Sequence, residues 1–82
     1  MDPKRWNKTV TVETAKVGKM RVIASTLEAA EFLLLRWPNE GGQAHLHARI
    51  ACIAVLDGRA SPEQAREAFV AAAQEAGILV KS

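Results

Sequence analysis

The segment QAHLHARIACIAVL, residues 43–56, is almost free of polar side chains. Wound at roughly 100° per residue, it puts Leu46, Ile50, Ile53 and Ala54 on one side and Ala44, Ala48, Ala51 and Val55 on the next. Only Gln43, His45, His47 and Arg49 interrupt the apolar surface. A helix that is apolar around most of its circumference is expected in the middle of a structure. The sequence therefore predicts a central helix. Its alanines let neighbours approach, and Leu46, Ile50, Ile53 and Leu56 supply the volume of the core.

The flanking punctuation fixes the neighbours of this helix. Downstream, Gly58 is a C-terminal stop, and Ser61-Pro62-Glu63-Gln64 opens another helix with a serine cap, proline in the first turn and a glutamine placed for a capping box. Ala65, Ala68, Phe69, Ala72, Ala73 and Ala76 form its apolar stripe, Glu63, Glu67, Gln74 and Glu75 its wet face, and Gly77 its end. Upstream, Asn39-Glu40-Gly41-Gly42 is a turn. Before it, Ser25-Thr26-Leu27-Glu28 reads as a capping box that starts a helix running to about Arg36, where Trp37-Pro38 stops it. Leu27, Ala30, Leu33, Leu34 and Trp37 fall in one apolar arc of that helix. Phe32 and Leu35 fall outside it, on the side carrying Glu28, Glu31 and Arg36, as an apolar centre with a charged rim.

From Lys8 to Glu13, Val10 and Val12 alternate with Thr9, Thr11 and Glu13, the pattern of a strand with one buried face. A second strand runs from about Lys19 to Ala24, where Met20, Val22 and Ala24 alternate with Lys19, Arg21 and Ile23. Gly18 can supply the positive φ of a hairpin between them. Trp6 shares the parity of Val10 and Val12, and a strand that begins early would lay its ring over the end of the core. The β-branched tail around Ile78-Leu79-Val80 is a possible third strand. The expected architecture is a single α+β domain over residues 1–82, with an antiparallel hairpin, three helices and a possible short C-terminal strand, and with residues 1–7 flexible.

Composition narrows the class. At 82 residues, 49% hydrophobic and 24% charged, the chain is an ordinary globular domain. No run reaches the ~18 apolar residues of a membrane span, and no apolar stretch follows the basic start to make a signal peptide. A cytoplasmic location with no membrane partner is the expectation. Residues 1–24 carry Lys4, Arg5, Lys8, Lys16, Lys19 and Arg21 against Asp2 and Glu13, a net +4, within an overall charge of +2. The rest of the chain is net −2. A basic hairpin is either a solvated pair of strands whose lysines discourage edge pairing or a contact surface for something acidic.

Taken in order, Trp37-Pro38, Gly42, Ala48, Cys52, Gly58, Ala65-Arg66, Phe69, Ala72 and Ala76-Gly77-Ile78 resemble the pattern of a bacterial family known as domain of unknown function 982. The resemblance spans nearly the whole chain. It implies a small α+β domain found best in soil and plant-associated bacteria, with no assigned activity and no catalytic residues to carry over. Most of the matching positions are helix stops, caps and small core residues; Arg66 is the polar exception.

The chemistry expected from the residues is slight. His45 and His47 point about 160° apart on a helix, and His45 and Cys52 lie about 10 Å apart along its axis, too far to share an ion held at ~2.0–2.3 Å. No metal, cofactor or catalytic residue is expected, and the chain reads as a non-enzyme. The lone Cys52 reads as a small buried residue. Two binding functions remain. The first is a protein-interaction module, most simply a homodimer, built on Phe32 and Leu35 with Glu28, Glu31 and Arg36 at the rim. Its rival is coverage of those two side chains by residues 39–43 or by the segment around Trp6. The second is weak nucleic-acid binding through Lys4, Arg5, Lys8, Lys19 and Arg21, with Trp6 near enough to stack on a base.

Overall fold

Alternating segments at the two ends of the chain enclose three helical ones. In the computed structural model, which describes residues 5–82, the order is β1 (Arg5–Glu13), β2 (Met20–Ser25), α1 (Thr26–Leu35), α2 (Gln43–Leu56), α3 (Pro62–Ala76) and β3 (Leu79–Lys81). The class is α+β, and the third strand exists. Both pairings are antiparallel, in the order β2-β1-β3. Cross-strand partners share a face, so the pairing of Val10 with Ile23 turns both inward, while Met20 and Val22 are left exposed on the outer face.

β1 begins at Arg5, not at Lys8. Residues 5–7, expected as part of a flexible lead, lie within the strand; residues 1–4 lie outside the described residues. Trp6 is buried, and its indole N–H donates to the Thr26 hydroxyl at 3.1 Å. The β1–β2 register shifts between Arg5 and Val10. Within that interval Arg66 Nε donates to the Lys8 carbonyl at 3.0 Å, tying α3 to the irregular part of the strand. That bond gives the polar exception, Arg66, a structural task.

α2 is not the central helix. It buries Ala48, Cys52 and Val55, while Leu46, Ile50, Ile53 and Leu56, expected to fill the core, are exposed. The central position belongs to α3, which packs on α2, α1 and the sheet and buries Ala65, Phe69, Ala72 and Ala73. The residues that α2 buries are all small, and those of α3 are alanines apart from Phe69, which lets two packed helices approach closely; the bulky side chains of α2 lie outside that face. Core volume comes from aromatic rings instead. Phe69 lies 5.7 Å from Trp6, 6.2 Å from Phe32 and 6.1 Å from Trp37, and Phe32 and Trp37 meet edge to face at 5.6 Å. All four aromatic residues of the chain thus form one cluster, in arrangements each worth about 0.5–1.5 kcal/mol beyond area burial.

Candidate functional site

The predicted patch on α1 is reorganised by the rotation of the helix. Ser25 caps it as expected, accepting from the Glu28 N–H at 3.2 Å, and Glu28 reaches back to the Ala24 N–H at 2.7 Å. Glu28 is thereby committed to the start of the helix and not to a rim. The inward face is Thr26, Ala29, Phe32 and Leu33. Phe32 is only 1% exposed, so it is a core residue rather than an interface anchor; neither residues 39–43 nor Trp6 covers it alone, because it inserts between Trp37 and Phe69. The physical reason is that one aromatic ring buries more area than a leucine and has two ring partners here. Leu35, at 79%, stays exposed as expected, and Glu31 and Arg36 are exposed beside it.

The same rotation expels Leu27 and Leu34, which the apolar arc had assigned to the core. α2 packs against α1, with His45 of α2 bonded to the Leu33 carbonyl of α1. At helical spacing Leu27 and Leu34 fall on one side of α1, and Leu46, Ile50, Ile53 and Leu56 form an exposed row on α2. These six aliphatic side chains of the two packed helices are all exposed, among them Leu34 at 60%, Ile50 at 56% and Ile53 at 54%. Glu31 and Arg49 are exposed on the two helices that carry this face, and neither is ion-paired among the described residues, where the ion pair is Asp57 with Arg59.

The N-terminus of α2 is held from outside its own sequence. Gly42, its N-cap, supplies no side-chain bond. Glu75 of α3, assigned by its periodicity to the wet face, does so instead: its carboxylate accepts from the Ala44 N–H at 3.1 Å and the His45 N–H at 3.4 Å. A Cβ on Gly42 would come within 2.8 Å of that carboxylate, so a larger residue there would push the Glu75 side chain off the helix end. The Ala44 N–H holds the Glu75 carboxyl below its ordinary range, against some desolvation and with help from the amides of His45, Gly42 and Gln43. A doublet of glycines opening a helix with no capping side chain was the signal in the sequence, but it does not name the partner. One turn in, the His45 ring packs on Trp37 at 4.9 Å and shares a hydrogen with the Leu33 carbonyl at 2.9 Å, so its Nε2 is the donor.

The basic residues of the hairpin do not converge. Arg5 pairs across from Ser25 at one end of the sheet, whereas Glu13 pairs with Met20 at the other, beside Lys19 and Arg21. At ~3.3 Å per residue the two ends are roughly 25 Å apart. Lys8 is exposed between them, and Lys4 lies outside the described residues. Trp6 is buried, so its ring does not offer a stacking surface. Cys52 is buried, and burial pushes its thiol up to about 11, far from nucleophilic at neutral pH. Among the described residues no three His, Cys, Asp or Glu side chains cluster as metal ligands, and no helix is long and apolar enough to cross a membrane.

The sequence model of the family described as "Protein of unknown function (DUF982)" matches residues 8–80. The chain is also similar to the Agrobacterium tumefaciens protein Atu1219, whose structure was determined by NMR: 37% of residues are identical, the match covers 99% of this chain and 80% of that one, and the TM-score is 0.78. No curated protein matches.

Proposed function

This chain belongs to the DUF982 family, and from that premise we propose that it is a non-enzymatic protein-interaction module of the cytoplasm that pairs with a second copy of itself through the α1–α2 face. The observation that carries the reading is the row Leu46, Ile50, Ile53 and Leu56 on α2, together with Leu27 and Leu34 on the helix packed against it, all exposed. Six aliphatic side chains about half exposed amount to on the order of 500 Å² of apolar surface, near the top of the roughly 300–600 Å² that monomers leave uncovered. With its polar margin such a face approaches the ~800 Å² that each partner contributes to a stable interface. A copy of the same surface is a fitting occupant, because exposed charges of both signs accompany it. Turned about a two-fold axis, Arg49 of one protomer meets Glu31 of its partner. The role given to Phe32 in the sequence passes to Ile50 and Ile53. Nucleic-acid binding has less support, since its cations are divided between two ends of the sheet and its stacking residue is buried.

Light scattering coupled to size-exclusion chromatography tests the reading. The native chain at ~100 µM is expected at twice the monomer mass, and Ile50→Glu with Ile53→Lys, both on the solvent side of α2, at the monomer mass with unchanged circular dichroism. A native monomer, or a dimer that survives both substitutions, contradicts it.

A further inference from the structure

A groove that shares none of those six side chains lies between the hairpin turn and the C-terminal end of α1. It measures about 490 Å³, within the range of small-molecule sites, roughly 300–1,000 Å³. Its accessible apolar lining is Leu35 and Trp37, above the buried Phe32 ring, and its cationic lining is Lys16, Arg21 and Arg36. None of these three cations is ion-paired among the described residues. Two acids border adjoining hollows rather than the groove itself: Glu31 in the one that Arg21 and Arg36 also line, and Glu13 in the one that shares Lys16. An ordinary solvated surface disperses like charges; here three come from three different segments to the rim of one apolar floor.

The rim is also ordered before any ligand arrives. The Thr14 hydroxyl accepts from the Lys16 N–H at 3.3 Å and donates to the Lys19 carbonyl at 3.2 Å, while the Thr14 N–H bonds the same carbonyl at 3.0 Å. These bonds fix the turn that presents Lys16. Arg21 is placed by strand pairing with Val12, and the Arg36 backbone N–H closes the last turn of α1 on the Phe32 carbonyl at 3.0 Å. Planar guanidinium groups bind carboxylates in bidentate fashion, and aromatic edges accept a flat apolar body.

We propose that this groove binds a small aromatic carboxylate, its ring against Leu35 and Trp37 and its carboxylate between Arg21 and Arg36, with Lys16 closing the rim. The test uses 2-naphthoate as the probe, with 2-naphthalenemethanol and 2-naphthylmethylamine as its neutral and cationic counterparts, titrated into the uniformly ¹⁵N-labelled native chain. The expected result is saturable amide shifts confined to residues 14–21 and 32–37 for the carboxylate, at least tenfold weaker binding of the alcohol and amine, and a loss of at least tenfold in Arg21→Gln with Arg36→Gln. Absence of shifts at 10 mM carboxylate, equal binding of the three probes, shifts centred on Leu46 to Leu56, or full affinity in the arginine variant would each overturn the proposal. The comparison of the three probes needs no variant, so a misfolded mutant leaves the test intact.

Discussion

Phe32 and Leu35 are three positions apart on one helix and have opposite fates. Truncating the buried ring by Phe32→Ala is expected to cost about 3–5 kcal/mol, a large part of the roughly 4–12 kcal/mol available to a chain of this length. Leu35→Ala should stay within about 0.5 kcal/mol. Urea unfolding followed by circular dichroism checks both, and equal costs would mean that the helix sits in the rotation first read from its periodicity. That reading weighed the number of apolar side chains along each face and found five on one arc. The structure weighs volume and ring contact, and one phenylalanine between Trp37 and Phe69 outweighs Leu27 and Leu34. The lone cysteine was legible, because a small apolar residue on a helix favours burial. Its thiol, pushed up to about 11, is expected to react with an aromatic disulfide at pH 8 only as fast as the chain unfolds; prompt reaction of the native protein would show that α2 opens locally.

At the scale of elements, the ends of helices were legible and their rotations were not. Ser25 and Ser61 cap α1 and α3, and Gln64 completes the box on the Ser61 N–H at 2.9 Å, because capping is a local hydrogen-bond pattern written within four residues. Gly77 ends α3 at φ 72°, a left-handed conformation that glycine takes without a steric penalty. The cap on α2 is different in kind: its acceptor is Glu75, about thirty residues downstream, and no local pattern encodes it. Its pH dependence has a definite sign. The folded carboxyl is held below its ordinary value of 4.5, so its contribution is fully present above that value and is lost as pH falls through the lower, folded one. Glu75→Gln should therefore melt below the native chain at pH 7, and the gap should narrow as pH is taken down through the carboxylate range. A gap that does not change between pH 7 and pH 3 would show that the charge at this helix end is immaterial. Substituting Gly42 by alanine should disturb the same cap by crowding the carboxylate.

For the whole molecule, strand alternation, breakers and caps were enough to give the order ββααα and the α+β class, since each is a local signal, and left the last strand only as a possibility. Which helix lies at the centre was not, because that depends on which two surfaces approach closely. The small faces of α2 and α3 make the seam, and the large side chains of α2 are left outside as a face of leucine and isoleucine. That inversion moves the proposed interface from Phe32 to Ile50 and Ile53. An isotope-filtered nuclear Overhauser experiment on a mixture of ¹³C-labelled and unlabelled chains reads the interface atom by atom. Contacts between protomers linking the methyl groups of Ile50 and Ile53 to those of Leu27, Leu34 or Leu46 are the expected result; a mixture showing no contacts between protomers at ~1 mM, or contacts that join the outer face of the sheet through Met20 and Val22, would contradict the account.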